Sequence, residues 1–312
     1  MPLMLDQLRA GKSLARAYRG PFASAYMKAV RLNRPEDAIY WLTVMHQGHA
    51  GDNYLRRRIF GSAGEDNVDT WPTRLCERLF NEPPTLETLL WAGAYALSLG
   101  TKWYELPDGQ EYTRMRASAG LAGHPNLKRG LDAHAKYKAA LEAGDVEAAY
   151  WWLDEGLVRE TPPWPFYTLA ADRGDQSPEP VTNSLAKIIR RQHGWLGPAR
   201  KTHLLKQLIW AVCRKPLASA GRRPDEAAFK LLMKAAAKRL ARGAVEPVPS
   251  WARDGVHVAG SDPRFAGSWE GCLNMVEMYQ RYGRLDVADP GITLLEGGPP
   301  PVSERVRRER AR

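Results

Sequence analysis

A stretch of twenty residues, Tyr26 to Met45, is partly written a second time, as Tyr137 to Leu153. At a shift of 111 residues the two copies share Tyr26/Tyr137, Ala29/Ala140, Glu36/Glu147, Ala38/Ala149, Trp41/Trp152 and Leu42/Leu153. Each copy reads as a helix, a short polar break and a second helix. In the first the break is Asn33-Arg34-Pro35, where proline suits the opening position of a helix. In the second it is Gly144-Asp145, with a glycine fit to end one helix and an aspartate fit to cap the next. Ile39, Leu42, Val44 and Met45, and likewise Tyr150 and Leu153, fall at helical spacing, so one face of each hairpin is buried. The pattern predicts an all-α fold of helical hairpins packed in two lobes.

Composition excludes several classes. Hydrophobic residues make up 44% and charged residues 26%, enough apolar surface for a full core. The longest apolar run, Leu89 to Leu99, is too short to span a bilayer and contains Gly93 and Ser98. The first residues, MPLMLDQLRAGK, lack the order of a secretion signal, so a soluble, cytoplasmic chain is expected. Cys76, Cys213 and Cys272 are far apart, which argues against a disulfide scaffold or zinc ribbon. Cys213 and Cys272 lie in apolar helical patterns and read as core residues. Gly11-Lys12-Ser13 does not complete a P-loop, because position 6 is Asp6 where the motif needs glycine. No cofactor is expected.

Further along, Tyr54 to Gly61 (YLRRRIFG) reads as a basic helix. Read together, Lys28, the turn at Asn33-Arg34, Asp37-Ala38-Ile39-Tyr40-Trp41-Leu42, Tyr54-Leu55-Arg56-Arg57-Arg58 and Ala63-Gly64-Glu65-Asp66 form an ordered series. This series resembles the C-terminal helical region of the replication-associated recombination protein A family (RarA, also called MgsA), AAA+ ATPases related to clamp loaders. The resemblance covers about residues 20–70. It implies a clamp-loader-collar-like helical module that oligomerises or lies close to DNA, working beside a separate AAA+ ATPase. It does not carry ATP hydrolysis over, since the chain has no Walker A motif or ATPase module.

Proline and aspartate cluster at Thr161 to Pro165 and Asp172 to Pro180. They suggest a boundary between a helical domain, 1–172, and a basic helical domain, 181–295, followed by a disordered basic tail, 296–312. Between Lys187 and Arg242 stand 15 lysines and arginines against Asp225 and Glu226 alone, a surplus that exceeds the +10 of the whole chain. Asp225 and Glu226 suit the positive end of a helix running to Arg242, with Phe229, Leu232, Met233, Ala236 and Leu240 as its buried stripe. Lys230, Lys234 and Lys238 form a ridge on its other side. Such charge points to an acidic partner, nucleic acid first and DNA before RNA, held mainly at phosphates. The expected contacts are Arg190, Arg191, Arg200, Lys201, Lys206, Arg222, Arg223, Lys230, Lys234 and Lys238, with Arg56, Arg57 and Arg58 from the first half. Trp195, His203 and Trp210 lie near enough in sequence to stack on bases.

These features predict a non-catalytic DNA-associated protein of replication or repair, with a second copy of the chain as a candidate partner. A helical scaffold for a protein partner such as an AAA+ ATPase is the alternative. An enzyme reading rests on Asp254, His257, Asp262 and Arg264, where a histidine between carboxylates suggests a general base or metal ligand. The plainer reading is a glycine-rich loop in which Asp262 pairs with Arg264. His46 and His49, three apart at a helix end, lack the glutamate of a metalloprotease motif.

Overall fold

The computed structural model describes residues 3–48, 50–80, 85–102, 106, 131–158, 164–191, 202–214 and 222–252. They are mostly helical, with no strand among them beyond the isolated bridges Met4–Ala244 and Asn67–Lys102. A short α1 (Leu5–Ala10) precedes α2 (Lys12–Arg31), α3 (Pro35–Gln47), α4 (Asp52–Asp66) and α5 (Thr70–Phe80). Helix α6 covers 86–99; its ends, Leu86–Thr88 and Leu97–Leu99, are α-helical and its middle, Leu89–Ala96, is a π-helix. Then come α7 (Leu131–Ala143), α8 (Val146–Val158), α9 (Trp164–Asp175), α10 (Pro180–Arg190) and α11 (Thr202–Cys213). The last described elements are α12 (Glu226–Leu240) and the 3₁₀ turn Ser250–Ala252.

The written repeat is a structural repeat. Both hairpins turn on a residue with positive φ, Asn33 at 55° and Gly144 at 70°, the conformation that glycine and asparagine tolerate best. The same hydrogen bond closes each turn: Arg34 N–H to the Ala29 carbonyl at 2.8 Å, and Asp145 N–H to the Ala140 carbonyl at 2.9 Å. The helix starts differ as the sequence predicts. Pro35 opens α3, whereas the Asp145 carboxylate accepts from the Ala148 N–H at 3.0 Å. At a shift of 111 residues α3 and α8 coincide end to end.

The correspondence extends past the hairpin. At the same shift Leu55/Phe166, Ile59/Ala170, Phe60/Ala171 and Ala63/Gly174 are buried in α4 and α9. Partner choice repeats as well. Helix α3 packs on α2 and α6, and α5 on α4 and α6; α8 packs on α7 and α11, and α10 on α9 and α11. The chain therefore contains two five-helix units, α2–α6 and α7–α11, of which the sequence displays only the opening hairpins.

Buried side chains form two clusters. The first takes residues from α1–α6 and adds Phe229, Ala236, Val245, Trp251 and Ala252; the second takes most of its residues from α7–α11. This corrects the expected boundary at 172–181. That segment joins α9 to α10, and Phe166 and Ala170 of α9 share a core with Leu185, Ile188 and Ile189 of α10. Nor does the basic half form its own domain: α12 returns to pack on α3. The basic stretch Arg16–Arg19 belongs to α2, which carries Pro21 internally.

The units meet where α4 and α5 face α11 and α10. The Gln207 side chain donates to the carbonyls of Gly64 (2.9 Å) and Asn67 (2.7 Å). A Cβ on Gly64 would stand 2.9 Å from Leu204 Cγ, so only glycine allows α4 to approach α11 this closely.

Candidate nucleic-acid interface

The expected basic contacts separate into buried, paired and open groups. Lys206 is 6% exposed, and its ammonium lies 5.7 Å from the Tyr150 ring centroid. It is not a surface phosphate contact, because α11 turns it into the second core. Trp210 is 5% exposed and is likewise core, not a base platform. Arg190 is ion-paired to Asp172 and to Asp175, the latter at 2.6 Å, and these pairs raise its pKa. Arg191 lies 3.2 Å from Glu77, and Lys230 lies 2.6 Å from Glu226.

Arg239, counted in the basic surplus, is a tether between α12 and the first unit. Its guanidinium reaches Glu36 (3.2 Å), Asp37 (3.0 Å) and Glu246 (2.6 Å) and lies 4.1 Å from the Tyr40 ring centroid. It thereby ties the start of α3 to α12 and to the segment after it. Burial alone would lower its pKa, but the surrounding carboxylates outweigh that and leave it raised. Charge counted along the sequence thus overstates charge presented to a ligand.

What stays open lies elsewhere. On α12, Asp225 caps the helix, accepting from the Ala228 N–H at 2.6 Å, and Phe229 and Ala236 are buried as the spacing predicts. Lys234 and Lys238 are exposed and make no ion pair among the described residues. Arg223 is exposed just ahead of it.

A group of three arginines sits on α2 and α4, with Arg57 exposed and Arg19 and Arg58 half-buried. Tyr54, half-buried in the first turn of α4, packs against the first core. The Arg19 guanidinium lies 4.7 Å from its ring centroid and that of Arg58 lies 5.2 Å away, both within cation–π range. Arg58 Nε also donates to the Tyr54 hydroxyl at 3.2 Å. Arg57 is exposed, its Nε fixed on the Asn53 carbonyl at 2.9 Å. Among the described residues Arg19, Arg57 and Arg58 form no ion pair, although Asp52 lies in the same first turn. Arg56 is half-buried with an enclosed Nε. Sequence reading found Arg56–Arg58 but missed Arg19, because only the packing of α2 on α4 brings that guanidinium to Tyr54.

Two further charged residues of α2 and α4, Lys28 and Asp66, serve packing. The Lys28 ammonium is buried against the Ser24 hydroxyl (3.2 Å) and the Ala252 carbonyl (3.1 Å). Asp66 is buried and lies 2.7 Å from Arg31.

Arg200 and Lys201 lie outside the described residues, as do Trp195, His49, Cys272, the 296–312 tail and the Asp254, His257, Asp262 and Arg264 loop. No group of three or more His, Cys, Asp or Glu able to hold a metal occurs among the described residues. None of the described helices is long and apolar enough to cross a membrane. No protein-family model matches the chain, and no curated protein or solved structure matches it either.

Proposed function

We propose that this chain is a non-catalytic, cytoplasmic accessory protein of DNA replication or repair that binds nucleic acid mainly through its phosphates. The observation that carries the reading is the grouping of Arg19, Arg57 and Arg58 around Tyr54, with no ion pair among the described residues. Planar guanidiniums match phosphate oxygens and release condensed counterions when they bind them. Exposed Lys234 and Lys238 on α12, with Arg223 ahead of it, add cationic surface. The resemblance of residues 20–70 to RarA/MgsA C-terminal regions supports a collar-like module acting near DNA beside a separate AAA+ ATPase. On this reading the two five-helix units are the lobes of that module, and self-association runs through other surfaces.

The test is duplex binding by the full chain across a salt series. Affinity falls steeply, with a log–log slope of about −3 or steeper if all three arginines meet phosphates. A slope near zero removes the reading.

A second reading, a helical scaffold for a protein partner, is favoured by one feature. A cleft of about 460 Å³ opens between α1, α3, α6 and α12, with Leu5, Ile39, Leu90, Met233 and Leu240 among its lining residues. Docking there would persist at high salt.

A further inference from the structure

We infer that the α2–α4 face takes a bare phosphodiester backbone and does not read bases, with Tyr54 as the residue that positions its arginines. The inference rests on the nucleic-acid reading above and names the ligand class of that same site. An aromatic side chain that stacks a base must offer it a ring face. Tyr54 is committed elsewhere. Its ring is half-buried against the first core and engaged by the guanidiniums of Arg19 and Arg58, and its hydroxyl accepts from Arg58 Nε at 3.2 Å. Arg57 is exposed alongside, held at one nitrogen by the Asn53 carbonyl, and none of the three guanidiniums has a carboxylate partner among the described residues. These donors suit the non-bridging oxygens of a phosphodiester, two at a time.

Tyr54 sits three and four residues before Arg57 and Arg58, one turn along the same helix face, and meets Arg19 across the α2–α4 contact. Removing the ring would free Arg19 and Arg58 to spread into solvent. Removing only the hydroxyl would keep both cation–π contacts.

The ligand class is therefore a linear chain of phosphodiesters, single- or double-stranded, whatever its bases. The experiment uses the full chain at low salt with a labelled duplex of about two helical turns. Its competitors are a single strand of mixed sequence and a strand of equal length in which every base is replaced by an abasic tetrahydrofuran unit. The abasic strand competes within about threefold of the normal strand, because the phosphates are the same. Tyr54→Phe stays within about threefold of the wild type. Tyr54→Leu weakens both competitors by the same factor, roughly tenfold, and melts within a few degrees of the wild type. An abasic strand weaker by about tenfold or more shows that bases are stacked and overturns the inference while leaving nucleic-acid binding intact. Loss of the normal strand alone in Tyr54→Leu does the same. If the labelled duplex does not bind at all, the proposed function falls with the inference.

Discussion

Where α4 has Arg56, Arg57 and Arg58, α9 has Tyr167, Thr168 and Leu169 at the same 111-residue shift. Leu55, Ile59, Phe60 and Ala63 are buried at the same places as Phe166, Ala170, Ala171 and Gly174, but the residues between them differ in character. In the first unit the outer face keeps Arg57 and Arg58, which form no ion pair among the described residues. In the second it supplies Asp172 and Asp175, which hold Arg190 of α10. Packing fixes the inward residues of both copies, because a five-helix unit closes only if each helix meets the same neighbours. The outward residues are free to diverge, so the copies differ where a ligand would be met.

The largest effect expected on stability concerns the joint between the units. Gln207→Ala leaves the Gly64 and Asn67 carbonyls without their side-chain donor in a buried site and costs about 2–3 kcal/mol in urea unfolding. A variant as stable as the wild type would mean that the joint does not hold the units together.

The tyrosines that open the two hairpins give a sharper comparison. Tyr26 and Tyr137 are both fully buried, but only Tyr26 donates to a described acceptor, the Gly93 carbonyl at 2.5 Å within the π-helical turn. Tyr26→Phe should cost about 1–2 kcal/mol, whereas Tyr137→Phe should be neutral or slightly stabilising. Equal losses in the two variants would remove that difference between the units.

The smallest effect should touch both units alike. Burial raises the pKa of Cys76, of Tyr26 and of Tyr137, that of Cys213 to about 11 and that of Tyr167 to about 12. A group with a higher pKa in the folded chain holds its proton more tightly there. Its contribution is complete below the unfolded value and is lost as pH rises from that value toward the folded one. The melting temperature should therefore be level near pH 8, begin to fall near pH 9 as thiols ionise in the unfolded chain, and fall faster above pH 10 with the tyrosines. A level profile up to pH 11 would contradict the buried placement of these groups.

Much of the fold was legible in residue order. The duplicated Tyr, Ala, Trp and Leu positions predicted both hairpins and their buried faces, and Asp225 with the Phe229 to Leu240 stripe predicted α12. The length of the repeat was not legible. After the first hairpin the copies keep the character of buried positions but not their identity, as Leu55/Phe166 and Ile59/Ala170 show. The domain boundary was misplaced because prolines and aspartates at 172–180 mark a tight turn between packed helices as readily as a linker. The candidate site was half legible. A run of arginines announces itself, but the carboxylates that occupy Arg190, Arg191 and Arg239 come from other helices, and so does Arg19 beside Tyr54.

The most direct test compares the units on one ligand. Duplex binding is measured from low to moderate salt for Arg19→Gln/Arg57→Gln/Arg58→Gln and for Arg190→Gln/Arg191→Gln, with thermal melts to confirm that both fold. The first variant should bind roughly 100-fold more weakly at low salt, with a log–log slope shallower by about 3, while the second stays within about threefold of the wild type. The reverse pattern, or equal losses in both, would contradict a phosphate face centred on α2 and α4.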